Sequence, residues 1–190
     1  MKNYEFINEH NINAIPIQLL LEVGKLLKAK VLDRTMENIE KWAEMIINAN
    51  EFIWSISDQL QNSIIPIVQR KINDKNLKIR AILEKSLLDR FIDDDSWERY
   101  LKDLNPEIIK QFFEKLEIQQ NVRVKENLGF ALTITESESI LFLSTNRGID
   151  YSQCIYAKSD KDFLEWAREL FLFCWNDSEL ITIEQLAKLK

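Results

Sequence analysis

Between Ala29 and Leu83 the sequence alternates short apolar runs with amphipathic stretches, and this order constrains the fold more than any other feature. Ala29 to Leu32 reads as a short strand. Thr35 is placed to cap a helix whose apolar stripe is Met36, Ile39, Trp42, Ala43, Ile46 and Ile47, with Glu37, Glu40, Lys41 and Glu44 opposite. Glu51 to Ile56 reads as a second strand. A helix is expected from Asn62 or Ser63, with Pro66 in its first turn and Ile64, Ile65, Val68 and Ile72 on its face. Leu77 to Leu83 is the third strand. Strand, helix, strand, helix, strand is the pattern of βαβ units, so the three strands are expected to lie side by side and parallel.

The second half changes style. Asp93-Asp94-Asp95-Ser96 and Pro106 each precede helical spacing, which suits acidic caps and proline in a first turn. Ile118 to Lys125, Phe130 to Thr135, Ser139 to Ser144 and Tyr151 to Ala157 then read as short strands joined by polar turns, an antiparallel meander. Ser159-Asp160-Lys161-Asp162 opens a long helix bearing Phe163, Trp166, Ala167, Leu170, Phe171 and Cys174, widened by Leu164, Leu172, Phe173 and Trp175. The expectation is an α/β chain, α+β overall. It forms a single domain over 5–176, with a parallel βαβαβ part at 29–92 and a meander closed by the aromatic helix at 117–176. Residues 177–190 form a tail, with a short amphipathic piece from Thr182 to Leu189.

Composition narrows the function. At 190 residues with 46% hydrophobic content, the chain can bury roughly 70% of the surface its unfolded form exposes, without metal or disulfide. Only 3 glycines occur, at Gly24, Gly129 and Gly148, too far apart for a phosphate-cradling loop or a dinucleotide fingerprint. Lys plus Arg is 25 against 31 for Asp plus Glu, a net charge of −6 that disfavours nucleic-acid binding through the whole surface. The single histidine, His10, and the two cysteines, Cys154 and Cys174, cannot fill a zinc site. No metal or cofactor is expected. The cysteines read as buried free thiols and His10 as a capping or packing residue. Met1 to His10 has no secretory core and no apolar run reaches membrane length, so a soluble cytoplasmic protein is expected.

Two stretches are candidate sites. In open α/β sheets, small molecules bind beyond the carboxyl ends of the strands. Those ends carry Ser55, Ser57 and Asp58 beside Trp54, then Glu84 and Lys85, a set suited to a small polar ligand. The bland alternative is that Ser57 and Asp58 turn the chain. Arg147, in the Thr145–Gly148 turn, is suited to an anionic group or is a solvated turn residue. The Asp93–Asp95 run reads as a helix cap. The aromatic helix is either an internal cover for the sheet or a dimer interface through Phe163, Trp166, Phe171, Leu172 and Trp175.

Three segments give the chain a family likeness. They are Glu9-His10-Asn11-Ile12-Asn13-Ala14-Ile15-Pro16 with Leu19-Leu20 and Gly24, Phe52-Ile53-Trp54-Ser55-Ile56-Ser57, and Ser159 through Phe171. Together they resemble the C-terminal output domain of archaeal winged-helix regulators, the methanogenesis-regulatory domain, in the same order from about residue 5 to about residue 176. Asn11 stands where that family usually has an acidic residue, and Asn13-Ala14 replaces its glycine-rich dipeptide. The resemblance implies a domain that senses a ligand and homodimerises, reaching DNA only indirectly through a winged helix. The few residues before His10 are too short to form one. The βαβ part also resembles, more weakly, the phospholipase D-like fold of archaeal sugar-responsive regulators. That chemistry needs two histidine–lysine motifs, and His10 is followed by Asn11 and Ile12. No enzyme is therefore expected. The other readings are a stand-alone partner that heterodimerises with full-length regulators, or a small hydrolase.

Overall fold

A computed structural model describes residues 2–59, 64–72, 77–87, 89 and 121–181. The expected helices around Asp93–Asp95 and Pro106, and the piece from Thr182, lie outside the described residues.

The chain opens with helix α1 (Lys2–Glu9), the short helix α2 (Ile17–Leu20) and a 3-10 turn at Val23–Leu26. Strand β1 (Lys30–Leu32), helix α3 (Thr35–Asn48), β2 (Phe52–Ser57), α4 (Ile65–Ile72) and β3 (Lys78–Glu84) follow. Then come β4 (Val122–Lys125), β5 (Phe130–Thr135), β6 (Glu138–Thr145), β7 (Gly148–Ile149) and β8 (Cys154–Lys158). Helix α5 (Lys161–Asn176) and β9 (Glu179–Leu180) close the described chain.

All nine strands form one mixed sheet, ordered β1-β8-β6-β5-β2-β3-β4-β9, with β7 on β6. The α/β class holds, and β2 and β3 pair in parallel with Ser55 opposite Ala81. Two expectations about neighbours are corrected. Strand β1 points the same way as β2 but is not beside it, because the antiparallel β8, β6 and β5 stand between them. Strand β4 is not part of the meander: it pairs parallel with β3, and β9 pairs antiparallel with it. Strand order follows from long-range pairing, which local apolar patterning does not encode.

Helices cover both faces, and this explains the central strands. Every residue of β5 is buried, and in β6 all but Thr145 are, as expected for strands between two helical layers. Thr133 and Thr135 therefore face packed protein, although alternation with Leu132 and Ile134 would have put them toward solvent. One face holds Ile53, Ile79, Leu83, Ala131, Ile140, Phe142 and Cys154 under α3 and α4. The other holds Ile56, Ile82, Leu132, Ile134, Leu141 and Ile155 under α1, α2 and α5.

Helix α3 starts where expected, but Arg34 occupies its cap position and no side chain caps it. Its buried face is also rotated. Asn38, Trp42, Met45 and Ile46 point inward, while Met36 and Ile47 of the expected stripe are exposed. The amide of Asn38 explains the rotation: its Nδ2 donates to the carbonyls of Tyr151 and Ser152, at 3.1 and 3.0 Å.

Helix α5 is capped as its sequence implies. The Asp160 carboxylate accepts from the backbone N–H groups of Asp162 and Phe163. Phe163, Trp166, Phe171 and Trp175 are all buried within the domain, and the Trp166 indole donates to the Leu19 carbonyl at 2.9 Å. The interface expectation is corrected for those four residues, since the domain's own sheet and α2 already occupy them. Only Leu172 of the five, at 39%, stays on the surface, next to Phe173 at 50%.

The N-terminal segment is fastened to the sheet. The Asn11 N–H donates to the Ser144 carbonyl at 2.7 Å. Ala14 lies so close to Gly129 that a Cβ there would stand 2.4 Å from the Ala14 Cβ, which explains a glycine before β5. His10 packs on Phe6 with ring centroids 4.2 Å apart and bonds the Phe6 carbonyl through Nδ1 at 2.6 Å, the packing role its sequence position suggested.

Candidate functional site

Ser55 and Ser57 lie at the carboxyl end of β2, and Ala81 and Leu83 opposite them on β3. All four belong to the face under α3 and α4. There a cleft of about 80 Å³ opens, walled by aliphatic side chains of both helices and both strands: Ile46, Ile53, Ile64, Ile65, Val68 and Ile79. Trp42 of α3 closes one side and Gln59 stands at the mouth. The cleft sits where strand topology placed it, at the ends of two parallel strands.

Its few polar groups are ordered. The Trp42 indole Nε1–H donates to Thr133 Oγ1 at 2.9 Å, and Thr133 Oγ1 lies 3.0 Å from Ser55 Oγ. Thr133 is 2% exposed, so strand β5 next to β2 supplies a buried hydroxyl behind the lining residues Ser55 and Trp42. Ser57 is occupied by its own turn: Oγ donates to the Gln59 carbonyl at 2.7 Å and accepts from the Gln59 N–H. For Ser57, the chain-turning reading is what the geometry shows.

Asp58 lies at the rim and accepts from the Tyr151 hydroxyl at 2.5 Å. Burial, reinforced by the Asp58 carboxylate, pushes the Tyr151 phenol far above its ordinary range, so it remains a donor. The loop carrying Tyr151 is held from three directions. Asn38 binds its backbone, Asp58 its hydroxyl, and His10 approaches Asp150, with Nε2 3.5 Å from Oδ2. Burial acts to raise the Asp150 carboxyl, but bonds from Ser152 and the nearby His10 outweigh it and hold the group below its usual range. Neither Asn38 nor Tyr151 was singled out from sequence. The signal available was Asn38 on an otherwise apolar helix face, since a buried amide requires partners.

The remaining expected site residues are elsewhere. Trp54 points to the opposite face from Ser55 and Ser57, because side chains alternate along a strand. It stacks on Phe171 at 5.1 Å and carries the Arg80 guanidinium at 5.3 Å. The expectation that Trp54 and the serines form one ligand site is therefore corrected. Glu84 shares the face of Ile82, outside the cleft lining. Lys85 is paired with Glu126 at 2.6 Å. Arg147 is an exposed turn residue whose N–H bonds Thr145 Oγ1, and it does not line the cleft.

Around Trp54 the opposite face is filled by aromatic and guanidinium groups. Arg80 and Arg123 lie 5.2 and 4.6 Å from the Trp175 ring, and Arg123 Nη1 donates to the Trp175 carbonyl at 2.7 Å. This is a strut that fixes the end of α5. The cysteines stand on opposite faces, Cys154 with α3 and α4 and Cys174 with α5, so they do not form a redox pair. Burial pushes their thiols up to about 12 and about 11. Among the described residues no cluster of three or more His, Cys, Asp or Glu is arranged to hold a metal ion, and no helix is long and apolar enough to cross a membrane.

The fold and the sequence both have relatives. A solved structure of TrmBL2, described as an archaeal chromatin protein with a novel mode of DNA binding, superposes with a TM-score of 0.55 at 16% identity. The match covers 87% of this chain and 61% of that one, so this chain spans less than two thirds of TrmBL2. At that identity the likeness is one of fold. No curated protein matches the sequence significantly. The model of the methanogenesis regulatory protein FilR1 middle domain matches residues 30–177, which takes in β1 to β8, the cleft and the whole of α5. By that match the chain belongs to the FilR1 middle-domain family of regulatory proteins.

Proposed function

We propose that this domain is the signal-receiving part of an archaeal transcription regulator and that it binds a small molecule in the cleft between α3, α4 and the ends of β2 and β3. The observation that carries the reading is the cleft itself: an apolar recess with a short polar floor at the carboxyl ends of two parallel strands. The groups around it recognise and do not catalyse. Among the described residues Ser55 bonds no histidine or carboxylate, and its partner is the Thr133 hydroxyl. The family and the DNA-binding fold relative support a role in transcription. The protein is accordingly read as a non-enzyme whose effect on DNA passes through a separate DNA-binding unit.

Signal transmission follows the Tyr151 loop. A ligand that displaces the rim at Ser57 to Gln59 alters the Asp58–Tyr151 bond, and the same loop touches α3 through Asn38 and the N-terminal segment through His10. Binding would shift the population between two arrangements of that loop. Homodimerisation falls to the exposed Leu172 and Phe173 on α5. A charged residue there, Leu172→Glu, is expected to shift sedimentation toward the monomer. Unchanged dimer affinity places the interface elsewhere.

The test of sensing is ligand-observed NMR of a fragment library with the chain and with Ala81→Leu, which fills the cleft. Hits that vanish in the variant support the reading. Hits untouched by it, or no hits at all, contradict sensing at this cleft.

A further inference from the structure

The chemistry of the cleft specifies a class of ligand. Apart from Ser55, Ser57 and Gln59 the described walls are aliphatic or aromatic, and the one charged residue among the described lining, Arg80, turns its guanidinium to the far side of the sheet against Trp54 and Trp175. Among the described residues no other charged group lines the recess, and the Asp58 carboxylate at its rim is engaged by the Tyr151 hydroxyl. An ion entering it would lose hydration without a partner, which is strongly unfavourable.

The floor has a defined polarity. Thr133 Oγ1 already accepts the Trp42 N–H, and its own hydroxyl proton is buried. Among the described residues, the neighbour within reach of that proton is Ser55 Oγ at 3.0 Å. A buried donor left unpaired is costly, so Thr133 donates to Ser55. The half-buried Ser55 hydroxyl then has its own proton free, and it lines the cleft. Ser57 cannot compete, since its proton is spent on the Gln59 carbonyl. Among the described residues, Ser55 is therefore the one donor set among the apolar walls inside the recess, with the Gln59 amide at its mouth.

We infer that the cleft binds a small uncharged molecule with an apolar body and one hydrogen-bond acceptor of the carbonyl class, the acceptor seated on Ser55. This rests on the proposed sensing role and replaces the polar ligand expected from sequence. The recess of about 80 Å³ opens at the mouth, so it takes a short chain or part of a small ring and leaves the rest of the ligand at the rim. It is smaller than the ~150 Å³ engineered aliphatic cavity that accepts benzene.

Calorimetric titration of the chain with cyclohexanone, methylcyclohexane, cyclohexanecarboxylate and cyclohexylammonium tests this. Cyclohexanone is expected to bind tightest, the hydrocarbon more weakly, and the two ions not at all. Ser55→Ala should weaken cyclohexanone about 5- to 10-fold and leave the hydrocarbon unchanged, as for loss of one neutral hydrogen bond. Ser55→Cys, a slightly larger side chain with a weaker donor, should fall between them and serves if the alanine variant does not fold. Equal affinity for ketone and hydrocarbon, or an ion binding better than either, overturns the assignment. If all four fail while the fragment screen gives cleft hits of another chemistry, the class is wrong and the sensing site stands. A blank fragment screen removes the site itself.

Discussion

The two faces of the sheet are built differently from the same strands. Under α5 the packing is aromatic and closed: Phe163, Trp166, Leu170 and Phe171 are at 0% exposure, and the Arg80–Trp175–Arg123 stack locks the helix end. Under α3 and α4 the packing is aliphatic, includes buried hydroxyls, and leaves a recess. Well-packed protein tolerates few voids larger than a water molecule. The apolar recess at the strand ends of that face, where ligands enter this kind of sheet, is what the proposed recognition rests on, and the closed aromatic face is assigned to stability.

The largest effect that would break this contrast is at Trp166. Truncation to alanine removes a fully buried indole and its bond to Leu19, and should cost about 3–5 kcal/mol in chemical denaturation. A loss under 1 kcal/mol would mean that the α5 face does not carry the stability assigned to it. Matched insertions sharpen the comparison. Ala167→Val on the closed face should destabilise by about 1–3 kcal/mol through overpacking, while Ala81→Val in the cleft should change stability by less than ~0.5 kcal/mol. Equal costs would show that the recess is not available space.

Asn38→Ala should cost about 1–3 kcal/mol, because it leaves the Tyr151 and Ser152 carbonyls without their side-chain donor. Hydrogen exchange should show the loop at 150–152 loosening, with little change in α5.

The smallest expected effect concerns pH. Asp150 has its carboxyl held below the ordinary range, so the stability it contributes is full above the unfolded pKa of about 4 and is lost as pH falls through the folded value. Asp150→Asn should destabilise by about 1 kcal/mol or less at pH 7, with the gap from wild type closing below pH ~4. A gap that persists in acid would assign its cause to packing.

Much of the architecture is legible in the residues. Glu51 to Ile56 and Leu77 to Leu83 read as parallel strands because an amphipathic helical stretch lies between them, the order of a βαβ unit, and the helical spacing after Asp160 marks α5 with its cap. What could not be read depends on distant pairing. Nothing local to Lys30–Leu32 says that β8 will be its neighbour, or that three meander strands will separate it from β2. The site shows the same limit. Ser55 was found from the strand end alone, but its partner Thr133 became visible only with the β2–β5 register, which sets Ser55 opposite Thr133. The placement of Trp54 is itself legible, since alternation along a strand separates residue 54 from 55 and 57.

The central claim is that one face recognises and the other supports, and indole resonances report on both at once. Trp42 Nε1 sits on the floor hydrogen bond to Thr133, and Trp166 Nε1 on the closed face is bonded to Leu19. In a titration with cyclohexanone followed by amide and indole NMR, the Trp42 Nε1–H signal should move saturably while that of Trp166 stays in place. A static Trp42 signal, or a Trp166 signal that moves as far, would contradict the account.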